Sequence, residues 1–337
     1  MMTHRPQQFP LARQSAGVAP LRRPGSIRRT TSIDSHWPDG ASAAWTMAAR
    51  ARDLCTPEDG GDPHILSEAG YEMRISPARE ILALKTNAHQ ERTGELVGVR
   101  AGGDSRRMIA SALGDLVGTP LYQILDDFAG ASLVARWIWS QWMPDWAAFS
   151  KDKTQPQTHG RKGNMLNICT GFAEGSSALL PDRLQDAATE DTARVGPLAD
   201  PSDSWSWHAM PDQHGPAMRR ARRLDIWRED RLILVDAAFQ DSGTAPDGGR
   251  RAVHEYRVYA EIDAESGILE SLQALPLILP FPECPGAAVK AARMVGHQIG
   301  DFRNTVLDTL PSTLGCTHLN DVLRGLADVP VLAANLA

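Results

Sequence analysis

Arg219-Arg220-Ala221-Arg222-Arg223-Leu224-Asp225 opens a run of strand-like segments in the second half of the chain. Arg28-Arg29-Thr30-Thr31-Ser32-Ile33-Asp34 uses nearly the same opening 191 positions earlier, with both arginines and the aspartate in step. The segments downstream of the two openings also correspond. Trp45, Met47, Ala49 and Asp53 find Ile233, Val235, Ala237 and Asp241 at an offset of 188. Ile75, Ile81 and Leu82 find Ile262, Ile268 and Leu269 at 187, and Asp104, Arg106, Leu113 and Gly118 find Asp301, Arg303, Leu310 and Gly315 at 197. Four blocks in one order, each with its own spacing kept, read as an internal duplication. The step from 187 to 197 marks an insertion, expected as a short helix from about Gly286 to Gln298.

Residues 27–36, 45–53, 65–75 and 79–85 read as strands, with apolar positions alternating through 45–53, and 218–227, 231–241, 253–262 and 268–275 repeat the series. That pattern predicts a four-stranded antiparallel meander in each copy. Helical spacing comes next, from the N-cap candidate Asp104 and then through Leu121, Ile124, Leu125 and Phe128, answered by Leu319, Val322 and Leu323. A meander of this kind has one apolar face that it cannot bury alone, and two helices supply the cover. The expected fold is therefore α+β, a duplicated unit with its two copies packed about a pseudo-twofold axis. The units run 27–149 and 217–332, after a disordered basic tail at 1–26 and around an insert at 150–216.

Composition narrows the function classes. The chain has 337 residues and a net charge of −6, which argues against general nucleic-acid binding; only residues 1–29 are rich in arginine and free of acids. No apolar run of 18 residues predicts a membrane span, and Arg22-Arg23 has no hydrophobic run behind it. Cys55, Cys169, Cys284 and Cys316 are far apart, which reads as reduced thiols in a cytoplasmic protein. The G-x-S-x-G, P-loop, dinucleotide-binding and H-E-x-x-H motifs are all missing.

Several strings resemble the bacterial family of unknown function DUF2889. They are the two Arg-Arg openings, Trp207-His208, Asp241-Ser242, His254-Glu255-Tyr256, Glu283-Cys284-Pro285 and, most specific, Gly315-Cys316-Thr317-His318-Leu319-Asn320-Asp321. The resemblance spans roughly 26–330. The family's insert usually reads Asp-x-Cys-x-Gly-Trp, and this chain has Asn167 and Phe172 at those ends. No activity comes with the family, so the resemblance implies none.

Duplication sorts the polar residues. Those present in both copies (Arg28, Arg29, Arg219, Arg220, Asp34, Asp225, Asp53, Asp241) suit a shared scaffold of salt bridges. The alternative is a pair of arginine clamps for a carboxylate or phosphate. His208, His254, Cys316 and His318 have no counterpart in the first copy, so an asymmetric task falls to them. His254 shares a strand face with Tyr256 and Val258, which also suits a core histidine. Cys316 stands at a helix start, as a nucleophile beside His318 or as a packed thiol under a Thr317 cap. A zinc site from Cys284, Cys316 and His318 lacks any short paired spacing, and no metal or other cofactor is called for. Trp139, Trp142 and Trp146 share a helical face, as core or as the wall of a pocket, and Asp126-Asp127 reads as a solvated pair.

The leading expectation is an enzyme of small-molecule catabolism acting on an anionic organic substrate such as an aromatic or acyl acid. His208, His254, Cys316 and His318 would carry lyase- or hydrolase-type acid/base chemistry. Arg219, Arg220, Arg28, Arg29, Trp207, Tyr256 and Asn320 would bind the substrate, with no nucleic-acid or membrane partner and a homodimer allowed for. The rival expectation is a non-catalytic binding module that meets a partner protein through the Trp-rich helix and the insert. A symmetric dimerisation scaffold ranks third.

Overall fold

The computed structural model of the protein describes residues 6–149, 165–180 and 192–336, and one antiparallel sheet runs through all of it. The strands are β1 (Ser26–His36), β2 (Trp45–Thr56), β3 (His64–Ile75), β4 (Ile81–Thr86), β5 (Ala193–Val195), β6 (Ala217–Glu229), β7 (Leu232–Thr244), β8 (Arg250–Asp263) and β9 (Leu269–Ile278). Their order is β4-β3-β2-β1-β6-β7-β8, with β5 and β9 both pairing β8. The two Arg-Arg stretches thus become neighbours at the middle of the sheet. They run antiparallel, with Arg28 opposite Asp225 and Asp34 opposite Arg219.

Helices pack on one face. In chain order they are α1 (Gln90–Gly94), α2 (Gly103–Leu113), α3 (Pro120–Ala135), α4 (Trp139–Trp142), α5 (Trp146–Phe149), α6 (Gly286–Lys290), α7 (Phe302–Thr309), α8 (Thr317–Gly325) and α9 (Val329–Ala333). Thr119 caps α3 through a bond from the Tyr122 amide to its hydroxyl, and Pro120 fits the first turn, where no amide donor is needed. The mixed architecture, a large antiparallel sheet with helices after each meander, agrees with the α+β expectation. The inserted helix of the second half is α6, shorter than its expected range and continued by a 3₁₀ turn at Ala291–Met294.

Two apolar cores lie under the helices. One gathers Trp45, Met47, Tyr71, Ile75, Leu113, Leu125 and Phe128; the other gathers Ile226, Val235, Phe239, Val258, Phe302, Leu319 and Leu323. The tryptophans of the first unit belong to the first core: Trp37 stacks on Trp45 and meets Trp139 edge-on, and the Trp142 indole donates to the Thr244 carbonyl.

Between the cores runs a buried ionic seam. Arg222 bonds Asp127, Arg303 bonds Asp126 and Asp328, and Arg324 bonds Asp126. Asp126 and Asp127 are 3 % and 1 % exposed, so their reading as a solvated pair is corrected. Each carboxylate faces a guanidinium from the other half of the chain, which offsets the cost of its burial.

The opposite face of the sheet carries Arg28, Thr30, Ser32 and Asp34. Residues 15–25, within the stretch expected to be disordered, lie along it, while Gln8, Phe9 and Leu11 meet the 282–286 segment and the second core. The Ala19 amide donates to the Leu198 carbonyl, the Phe9 amide to that of Pro282, and Arg22 pairs with Asp203. The 150–164 and 181–191 portions of the insert lie outside the described residues.

Candidate active site

β7 and β8 pair Asp241 with His254, and a bulge comes at once, because Ser242 pairs with Ala252 and leaves Val253 over. Bulges re-aim neighbouring side chains. Here Asp241 and His254 both point to the helix-covered face. The turn at Gly315-Cys316 then starts α8 above them, and its first residues bring His318 down onto His254. The two imidazoles stack with centroids 3.6 Å apart and planes 19° from parallel.

Both rings turn a nitrogen toward one oxygen. His254 Nδ1 lies 3.6 Å and His318 Nε2 3.5 Å from Asp241 Oδ2. These separations exceed a hydrogen bond, and neither nitrogen has any other partner. The histidines are each 8 % exposed and the aspartate is fully buried.

Arg220 holds the carboxylate from behind, with Nε and Nη2 2.9 and 3.0 Å from its two oxygens, while Nη1 reaches Asp321 at 3.0 Å. α3 passes so close that a Cβ on Gly130 would stand 2.2 Å from both Arg220 Nη1 and Asp321 Oδ2. Only a glycine leaves room for this ion pair.

Burial pushes Asp241 up, but the Arg220 charge outweighs it and holds the carboxyl well below the usual carboxylate range. His254 is lowered by burial against the pull of Asp241, and His318 is lowered further by burial and by His254 beside it. The centre therefore holds an ionised carboxylate and two neutral imidazoles.

Three buried thiols gather beside the cluster. Thr170 donates from its amide and its hydroxyl to the Gly315 carbonyl, which docks Cys169-Thr170-Gly171-Phe172 under the turn that starts α8. Cys284 is packed against Gly171, and Glu283 accepts from the amide and hydroxyl of Ser177. Burial raises Cys316 and Cys284 and pushes Cys169 up to about 12, so all three stay protonated. Cys316 Sγ is 3.9 Å from His318 Nδ1, which makes it a neighbour of the cluster and no thiolate.

The sequence-predicted residues divide cleanly. His254, His318, Cys316 and Tyr256 come together, with the Tyr256 hydroxyl beside the Cys316 thiol. Asn320 closes the preceding turn through a bond to the Leu310 carbonyl. His208 lies on the opposite face, with Nδ1 and Nε2 each 2.8 Å from the hydroxyls of Thr30 and Ser32. Trp207 packs beside it against Ala19 and Ala221.

The arginines of the two openings are all engaged within the chain: Arg28 with Asp225, Arg219 with Asp34, Arg29 with Asp53 and Asp328, and Arg220 as described. Asp241 is the residue that sequence reasoning passed over. Its echo at Asp53 marked it as scaffold, yet it is also the carboxylate on which the two imidazoles converge. The Asp241-Ser242 string was the available signal.

No curated protein and no solved structure matches the chain. Residues 218–332, the unit that contains Asp241, His254, Cys316 and His318, match the family model described as "Protein of unknown function (DUF2889)", the family that the sequence motifs resemble.

Proposed function

We propose that the protein is an enzyme of small-molecule metabolism whose reaction centre is the Asp241–His254–His318 cluster, acting by acid/base chemistry on an anionic organic substrate such as an aromatic or acyl acid. The supporting observation is the pair of unpartnered imidazole nitrogens turned to one buried carboxylate. Buried polar atoms are normally satisfied, as those of His208 are; other buried atoms of the chain also lack a bond, and this pair differs from them in that both nitrogens face one buried carboxylate. A neutral imidazole beside a fixed carboxylate is suited to take up and return a proton.

The anionic substrate is carried over from the sequence; Arg106, like the four arginines of the openings, is held within the chain, at 2.6 Å from Asp321 and 3.9 Å from Asp126.

We also read the two units as copies related by a pseudo-twofold axis between β1 and β6. Reciprocal Arg28–Asp225 and Arg219–Asp34 pairs support this, as do bulges after Asp53 and after Asp241. A cytoplasmic setting rests on the four free cysteines.

The test is a thermal-shift screen of carboxylic acids and acyl thioesters on the wild type, His254→Ala, His318→Ala and His208→Gln. A ligand at this centre should shift the wild type and His208→Gln and leave both alanine variants unmoved. Shifts that survive in both alanine variants would remove the centre from this cluster.

A further inference from the structure

We infer that Asp241 Oδ2, His254 Nδ1 and His318 Nε2 are the three protein ligands of a divalent first-row transition-metal ion. The inference rests on the reading of this cluster as the reaction centre and deepens it, because the imidazoles then act as ligands and a metal-bound water becomes the proton-transfer group.

Geometry is the first argument. The three donor atoms lie within 4.8 Å of one another, and each nitrogen is 3.5–3.6 Å from the same oxygen. Tetrahedral bonds of about 2.1 Å place neighbouring donors about 3.4 Å apart, so these spacings fit an ion shared among the three better than they fit hydrogen bonds.

Unmet valence is the second. Two buried nitrogens have no partner, yet both face a carboxylate. Whether each presents a lone pair or a misplaced N–H, the arrangement is costly as it stands. A cation among them satisfies all three donors together.

Support behind the ligands is the third. Arg220 grips both Asp241 oxygens in a fork and leaves each a further lone pair. His318 Nδ1 lies 3.3 Å from the Thr317 hydroxyl, which suits the tautomer that carries its proton on Nδ1 and keeps Nε2 bare for a metal. Phe239 stands beside His318, so the ligand rings are packed on an apolar wall.

The donor set decides the ion class. Two imidazoles and one carboxylate suit Zn2+ or Fe2+, whereas Mg2+ and Ca2+ take oxygen ligands. Three protein ligands leave open positions, as catalytic sites do. At the corresponding end of the first unit, Asp53 faces Ser67 across the strand pair, and no imidazole is supplied.

The full-length chain, stripped with a chelator, would be titrated with Zn2+ alone and with Fe2+ alone under anaerobic conditions, against a competing chromophoric chelator. The expected result is about one ion per chain, with affinity lowered about 100-fold in His254→Ala and in His318→Ala and unchanged in Asp53→Asn. His254→Gln and His318→Gln, which keep a polar side chain, serve if an alanine variant fails to fold, and should lose affinity equally.

Binding of less than a tenth of an ion per chain, or binding that all four histidine variants retain, overturns the metal site. If the acid-induced thermal shift still depends on His254 in that case, the reaction centre stands without its metal. If ions bind as expected but the shift ignores His254, the metal site stands and the substrate reading fails.

Discussion

The two ends of the central strand pair begin from the same parts and finish differently. At one end Arg29 forks onto Asp53, at 2.6 and 2.7 Å, and spends its remaining donors on Asp328 and the Gly118 carbonyl. At the other end Arg220 forks onto Asp241 and reaches Asp321. Both aspartates stand just before a bulge. Across the sheet, however, Asp53 meets Ser67, whereas Asp241 meets His254 with His318 stacked above. The common part of the design is structural. The difference between the ends is two imidazoles, each with one buried nitrogen left without a hydrogen bond, and it is there that we propose the chemistry.

Removing the shared part should hurt both ends alike. Arg29→Met and Arg220→Met each strand one buried carboxylate, Asp53 or Asp241, and take one of two hydrogen-bonded arginines from a second, Asp328 or Asp321, and each should lose about 3–5 kcal/mol in denaturant unfolding. A loss at one end only would break the equivalence. The close approach of α3 makes Gly130→Ala the next most damaging change, with a loss of about 3 kcal/mol from a Cβ driven into the Arg220–Asp321 pair. A neutral result would mean that the helix shifts freely and does not fix the fork.

The opposite face supplies a control by pH. Burial, and then Arg52, Arg219 and Arg50, lower His208 to about 3, whereas an unfolded histidine titrates near about 6.5. The unfolded chain therefore binds the extra proton, and this contribution to stability is complete above about pH 6.5. It falls by about 1.4 kcal/mol per unit as pH drops toward 3, which is about 2 kcal/mol by pH 5. His208→Gln should remove that slope without touching the cluster on the other face. An unchanged slope would assign the pH dependence elsewhere.

Much of the frame was legible because period 2 and the repeated openings are strong local signals. Approximate strand limits follow from the repeated pattern, and the core direction of His254 follows from its sharing a strand face with Tyr256 and Val258; the Arg28–Asp225 register is set by how the two units join. Asp126 and Asp127 were misread because a charged pair among helical leucines looks like an outer face; their counterions, Arg222, Arg303 and Arg324, come from the distant half of the chain. His208 lies in an irregular segment, where no periodicity says which face it will reach. Asp241 was set aside because duplication marks what is shared, and a shared residue can still be the one the unshared residues gather around. The meeting of His254 with His318 depends on how α8 docks onto β8, and no spacing within either segment carries that.

The most direct test needs no substrate. If His254 and His318 are kept for chemistry, their open nitrogens weaken the metal-free fold, and an apolar side chain of similar size removes the burden. Chelator-treated His254→Leu and His318→Leu should each unfold at higher denaturant than the wild type, by about 1 kcal/mol. A loss of about 1 kcal/mol or more in both would contradict the account, since it would make the two histidines part of the scaffold.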